Sequence, residues 1–321
     1  MDDLIVFFII GFVSGIFTGF FGVGGGFFLT PVLNILGLQI VYAIGTSFFS
    51  LAGKSLFGTW RHLRHGNGLF RLGIFLGVLS IGGVEVGKRF VIYLESQNLA
   101  GTSIRVAYIV LLILISGYMF RDFHFHRKHA VKNRSGSTFP FRQETLPFRL
   151  VSKIKLPPKV VISGSKLETI SFWPLSGFGF LIGLLSGVLG VGGGFISLPI
   201  LIYMIGVPTI TAVGTSLIIV FFTSLYGALA YALIGHIDLV IGLAILAGSL
   251  LGVQLGVTAA KTADEKKIEL LFAVLLLCVA VSVFFKEIDK TAAGSILAVS
   301  TACALCVIIL WPGIRGRYSR T

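Results

Sequence analysis

The chain has 321 residues, of which 55% are hydrophobic and only 12% charged, with a formal net charge of +13. An ordinary soluble domain carries about a quarter charged residues, so this composition excludes one and points to a chain that lives in lipid. The positive charge does not argue for nucleic acid, because it is clustered between apolar runs instead of covering one face.

Apolar runs lie near 4–21, 41–60, 69–88, 104–120, 172–189, 212–234, 238–258, 267–285 and 291–311. Most reach the roughly 18 residues or more that cross a bilayer core about 30 Å thick. Asp2 and Asp3 lead the first run where a cleaved leader would carry Lys or Arg, so it is read as structural. Domains follow as a first transmembrane repeat over 1–120, a basic cytoplasmic linker over 121–170, a second, inverted repeat over 171–286, and a further helix with a basic tail over 287–321. Cys278, Cys303 and Cys306 fall in apolar runs; the Cys303-x-x-Cys306 spacing has no activating charge beside it and reads as packing. His124, His126 and His129 sit among basic linker residues, which oppose a metal cation, and His236 with Asp238 reads as surface. No metal site and no cofactor is implied.

The pattern G-V-G-G-G-F-x-x-x-P occurs at Gly22–Pro31 and again at Gly190–Pro199. Laid over each other at an offset of 168, Gly11–Leu33 and Gly179–Leu201 share 12 of 23 residues. With one residue added, Gly45-Thr46-Ser47 lies over Gly214-Thr215-Ser216, and the register holds as far as Gly87 over Gly256. A period this long is a duplicated half-protein rather than a solenoid unit.

Charge orients the halves. Eleven of the 26 Lys and Arg residues fall between Arg121 and Lys166, and others cluster at Arg61–Arg71, Lys261–Lys267 and Arg315–Arg320. The positive-inside rule places all of these in the cytoplasm. The second half is then inverted relative to the first, with the N-terminus outside and the C-terminus cytoplasmic in the cell membrane. Lys88, Arg89 and Arg105, near an outer loop, run against this scheme. The predicted fold is an all-α polytopic membrane protein, an inverted-topology repeat of two helical halves. Each half opens with a glycine-broken helical hairpin, either re-entrant or fully crossing.

Broken backbone in a bilayer needs protein or water to satisfy its polar groups. Gly24, Gly25 and Gly26, with Gly192, Gly193 and Gly194, leave their N–H groups accessible and suit an anion nest at a positive helix end. The alternative is tight packing alone. Pro31 and Pro199 are expected in the first turns of the following half-helices. Thr46, Ser47, Thr215 and Ser216 either bind an oxyanion or bond to the backbone. Intramembrane charge is scarce, which singles out Lys54 and Glu85, whose repeat partners are Thr223 and Gln254. Lys54 either attracts an anion or snorkels to the headgroups. Glu85, with Gln254, lines a coupling or transport pathway, or Glu85 pairs with Lys88 and Arg89. The two charges differ in depth by roughly 15 Å, too far to pair.

With these residues the chain resembles the sulfite exporter TauE/SafE family, on G-x-x-x-G-x-x-x-G-x-x-G-V-G-G-G-F-x-x-x-P at 11–31 and 179–199 and Gly-Thr-Ser at 45–47 and 214–216. The resemblance implies a permease for a small anion, sulfite or an organosulfonate, with both motifs around a central path, and a homodimer. The long basic linker departs from compact members. The reading is therefore a secondary transporter working by alternating access, with membrane lipid and a small anionic substrate as partners and no nucleic acid. An intramembrane enzyme is disfavoured, since no nucleophile–base or metal constellation is visible at membrane depth. The alternative is a membrane scaffold or assembly factor docking through the linker. No nucleotide-binding P-loop is present.

Overall fold

A computed structural model describes residues 2–130, 157–161, 169–261, 263–288 and 291–318. Every apolar run is helical. The first half contains α1 (Asp2–Phe21), α2 (Gly26–Ile35), α3 (Ile40–Arg64), α4 (Phe70–Ser96) and α5 (Ala100–Ala130). The second contains α6 (Phe172–Leu189), α7 (Gly194–Pro199) running into a π-helical turn (Ile200–Ile205), α8 (Thr209–Ala232), α9 (Leu239–Ala260) and α10 (Glu265–Glu287), followed by α11 (Thr291–Tyr318). Among the described residues, eight helices are long and apolar enough to span a membrane: α1, α3, α4, α5, α6, α8, α9 and α10. The apolar stretch identified in α11, Ile296–Leu310, is shorter.

The expected linker begins later than its polarity suggested, because α5 continues to Ala130. Two short strands, β1 (Lys159–Val161) and β2 (Thr169–Ser171), pair antiparallel with Val160 opposite Ile170. Residues 131–156 and 162–168, with most of the linker's basic side chains, lie outside the described residues, as do the side chains of His126 and His129.

Both hairpins turn on left-handed glycines. Gly22, Gly24 and Gly25 have φ of 71°, 77° and 68°; Gly190, Gly192 and Gly193 have 69°, 72° and 73°. A Cβ is costly at such angles, so glycine is the residue that can end α1 and α6 this way. The limbs are unequal. Twenty residues make α1 about 30 Å long, whereas the ten of α2 reach about 15 Å, half the bilayer core. Each hairpin is thus one spanning limb and one short return limb. The prolines are not in the first helical turn. Pro31 is the sixth residue of α2 and Pro199 the last of α7. Pro lacks the N–H that would bond to the carbonyl four residues back, and the ladder beyond Pro199 loosens into the π-helical turn.

Contacts between the halves come in swapped pairs. Gly11, Gly15 and Gly19 of α1 face Ile245, Ser249 and Val253 of α9, while Gly179, Gly183 and Gly187 of α6 face Leu76, Ser80 and Val84 of α4. The second set is the first carried through the repeat offset. Within each pair, residue numbers rise together, so the helices run parallel. Between repeat counterparts they run opposite. In α3 against α8, Gly58 meets Leu217 and Gly227 meets Phe48. In α5 against α10, Ser116 bonds to the Ala273 carbonyl and Arg105 to Glu287. The operation relating the halves therefore reverses helix direction. The three charges that ran against the outer assignment are paired: Lys88 and Arg89 with Glu85 at 2.7 and 2.9 Å, and Arg105 with Glu287 at 2.5 Å.

The α1–α9 and α4–α6 seams are backbone-to-backbone. A Cβ on Gly15 would lie 2.8 Å from Ser249 Cα, and one on Gly183 would lie 2.7 Å from the Ser80 carbonyl carbon, whereas Gly82 has open space around it. Overpacking of this kind costs roughly 1–3 kcal/mol even where side chains can yield. Gly15→Val and Gly183→Val are expected each to destabilise by about 3 kcal/mol, while Gly82→Ala leaves stability unchanged or slightly raised. Thermal unfolding in detergent checks the contrast.

Candidate functional site

The two breaks meet at the centre of the molecule. A Cβ on Gly26 would lie 2.8 Å from the Val191 carbonyl oxygen, and one on Gly194 would lie 2.6 Å from Val23 Cα. Gly24 and Gly192 both face Leu51 and Val220, which are repeat counterparts. Val23, Leu51, Val191 and Val220 are fully buried and close the centre as an apolar plug. The structure thus brings Gly24, Gly25, Gly26, Gly192, Gly193 and Gly194 together.

The amides here are unusual. Gly24–Gly25 and Gly192–Gly193 form hydrogen-bonded turns, but among the described residues no carbonyl makes a well-aligned bond to the backbone N–H of Val23, Gly24, Gly25, Gly26 or Phe27, nor to that of Val191, Gly192, Gly193, Gly194 or Phe195. All ten residues are buried. More than nine in ten buried backbone donors in proteins are paired, so two runs of amides that are unpaired or only weakly paired are a concentrated demand for acceptors.

Lys54 joins the first break. Its side chain is fully buried, and Nζ donates to Ser14 Oγ at 3.1 Å. Ser14 also borders the break, since a Cβ on Gly25 would lie 2.6 Å from the Ser14 carbonyl oxygen and 3.0 Å from Thr18 Oγ1. Among the described residues no carboxylate stands within ion-pair distance of Lys54. Snorkelling is excluded by the burial. In the second half Thr223 occupies the same place and donates to the Gly192 carbonyl at 2.6 Å. There the break is held by a neutral hydroxyl, and Ser186, the counterpart of Thr18, has a buried Oγ without a partner.

Three of the four Gly-Thr-Ser hydroxyls bond to the backbone, and that of Ser47 bonds to Thr30. Thr46 Oγ1 accepts from the Asp238 amide at 3.0 Å, and Thr215 Oγ1 accepts from the Leu69 amide at 2.8 Å. Each Thr therefore pins the connection entering a helix of the opposite half. Ser216 Oγ donates to the Gly22 carbonyl. Ser47 reaches the matching carbonyl through Thr30, whose Oγ1 lies 2.9 Å from Ser47 Oγ and 3.0 Å from the Gly190 oxygen. These four residues position the breaks. His62 Nε2 donates to the Gly19 carbonyl at 2.9 Å and Tyr231 Oη to its counterpart at Gly187 at 3.3 Å, bracing the ends of α1 and α6.

Glu85 and Gln254 are not brought to the breaks. Glu85 is held by Lys88, Arg89 and Tyr226 Oη, the last at 2.9 Å, and Gln254 lies exposed on α9. Ser14, Thr18, Thr30 and Tyr108 escaped the sequence reading, although each is a polar group inside an apolar run; Tyr108 Oη donates to the Leu189 carbonyl at 2.6 Å. Small hydroxyls in lipid-embedded helices serve packing so often that only the fold separates these from the rest.

Comparison with known proteins agrees with this architecture. The family described as sulfite exporter TauE/SafE matches residues 7–283. A probable membrane transporter protein of Methanocaldococcus jannaschii is 24% identical over 84% of this chain and 90% of its own length. The Bacillus subtilis probable membrane transporter proteins YunE and YjnA are 23% and 25% identical over 89% and 84% of this chain and 99% and 95% of theirs. No solved structure matches.

Among the described residues, Thr223 is the one whose side chain bonds to the Gly192 carbonyl. Removing one partner of a buried hydrogen bond costs about 1–3 kcal/mol. Thr223→Val, which keeps the shape, is expected to lower stability by that amount in a detergent melt and leave membrane insertion unchanged.

Proposed function

The chain belongs to the sulfite exporter TauE/SafE family, a multi-pass membrane transporter, and on that premise we propose that it moves a small oxyanion, sulfite or an organosulfonate, by alternating access. The observation that carries this reading is the meeting of two runs of amides without well-aligned acceptors beside one buried ammonium. A sulfur oxyanion offers several oxygens around one small centre. Each could accept from an amide of the broken backbone while Lys54 neutralises its charge. Charge-assisted bonds of this kind contribute about 1.5–3 kcal/mol each, which offsets the dehydration of the anion.

In this reading the apolar plug is the occluded state. Admission of an anion from either face requires Val23 and Leu51 to part from Val191 and Val220 on that side. The direction-reversing relation between the halves supports such an exchange, because a movement that opens one face has a counterpart that opens the other. The Lys and Arg distribution supports the N-terminus outside, the C-terminus in the cytoplasm, and the cell membrane as the location.

Purified protein warmed with sulfite, sulfoacetate, thiosulfate or a small carboxylate tests the substrate class, since a ligand of the folded state raises its stability. At least one sulfur oxyanion is expected to stabilise the wild type and to be taken up by proteoliposomes. Lys54→Met is expected to weaken its affinity by roughly 10- to 100-fold, equivalent to about 1.4–2.8 kcal/mol, with the fold intact. Unchanged affinity in that variant would remove Lys54 from the site, and no stabilisation by any sulfur oxyanion would overturn the substrate class.

A further inference from the structure

Lys54 is fully buried, and among the described residues its one hydrogen-bond partner is Ser14. Ser14 Oγ gives its own proton to the Gly11 carbonyl at 2.9 Å, so it meets Nζ as an acceptor. A neutral amine keeps N–H donors, so the bond serves either protonation state. The helices packed against α3 bring no counter-charge. α2 and α9 hold no Asp, Glu, Lys, Arg or His. α8 offers Tyr226 and Tyr231, whose hydroxyls go to Glu85 and to the Gly187 carbonyl. On α4 Glu85 is held by Lys88 and Arg89, and on α5 Arg105 is paired with Glu287. On α1, Asp2 and Asp3 precede Ser14 by eleven residues or more, about 16 Å along the helix. On α3 itself Tyr42, Arg61 and His62 are seven or more residues away, about 10 Å or further.

The two protonation states differ in what the site must supply. An ammonium without a counter-charge is costly in a closed apolar centre, whereas a neutral amine is far less so. An anion seated at the breaks supplies the missing charge and makes the ammonium the favoured form. Binding of the anion and binding of a proton therefore strengthen each other by the same factor. In net transport the carrier closes once with its anion and once without it. Closing with the anion favours the ammonium; closing without it favours the amine. The repeat sets the stoichiometry. The counterpart of Lys54 is Thr223, whose hydroxyl holds the Gly192 carbonyl, and the counterpart of Ser14 is Ile182. The two breaks thus share the single amine of Lys54.

We propose that Lys54 couples transport to the proton: one proton travels with each anion, and a monoanion crosses without moving net charge. The inference rests on the oxyanion reading above. As the anion arrives, the amine takes a proton from water on the loading side. As the anion leaves, that proton returns to water on the other side, and the neutral amine closes again at the centre. The pH gradient, rather than the membrane potential, then joins the anion gradient in setting the direction of net movement.

Methanesulfonate is the probe, because it stays a monoanion near neutral pH, where sulfite itself takes up protons. Purified protein is expected to take up about one proton per methanesulfonate bound, and the affinity to fall about tenfold per pH unit once the free amine has lost its proton. In vesicles a pH gradient is expected to drive net uptake, and a potassium diffusion potential to leave the rate unchanged. Lys54→Arg, charged at every pH used, is expected to lose net flux about tenfold more than exchange of labelled for unlabelled methanesulfonate. A separate measurement needs no anion. With isotope-labelled lysine, the NMR signal that Lys54→Met removes is expected to report a neutral amine at about pH 8 to 9. An ammonium persisting to about pH 10, where an ordinary lysine titrates, would overturn the proposal, as would binding without proton uptake or flux that follows the potential. These wild-type results stand even if arginine is not accommodated. A neutral Lys54 in protein that neither binds nor moves methanesulfonate or sulfite supports the proton site and counts against the anion reading instead.

Discussion

Glycines four residues apart allow two parallel helix backbones to touch, and in this protein that contact joins the halves rather than stabilising either one. α1 lies against α9 and α6 against α4, with carbonyls and Cα atoms where side chains would otherwise stand. Dispersion between closely packed backbones falls away steeply with separation, and lipid supplies no hydrophobic drive to replace it. The positions of both hairpins follow from these seams. Once α1 and α6 are fixed, Gly22 and Gly190 arrive beside Val213 and Ile44 on opposite sides of the centre. The Ser216 and Thr30 hydroxyls then take the carbonyls that the turns leave over.

Near-symmetry makes its exceptions informative. Most contacts around the breaks are duplicated, down to Thr46 and Thr215 each receiving an amide from the opposite half. Some matched positions differ in chemistry. Lys54 stands where Thr223 does, its acceptor Ser14 where Ile182 does, and Thr30 where Leu198 does. A scaffold that served packing alone would have no use for a buried ammonium in one half, since an unpaired buried charge is costly.

Much of this was legible from sequence because the limiting geometry admits one residue type. A left-handed turn at membrane depth and a backbone-to-backbone seam both demand glycine, so the repeat register, the breaks and the spans could be read directly. What stayed hidden is the direction in which a helical residue points. Depth along α3 separates Lys54 from Glu85 but does not say that Lys54 faces α1, nor that Glu85 faces Tyr226. For the same reason Thr46, Ser47, Thr215 and Ser216 could be placed near the breaks while their partners could not. The return limbs were readable only as apolar segments. That Pro31 sits well inside α2, and that Pro199 leads into a π-helical turn, depends on where the helices begin, and a run of glycines does not mark that boundary.

The swapped seams also govern how the protein is made. The face of α1 that carries Gly11 finds its partner at Ile245, roughly 230 residues later in the chain. At about 5–20 residues per second of synthesis, α1 waits on the order of tens of seconds in the bilayer with a groove of bare backbone open to lipid. Its broken return limb waits with it, and neither half completes its own core before the other emerges. Severing the chain within the linker would therefore give two fragments that are each unfinished alone and mature only if they are inserted together.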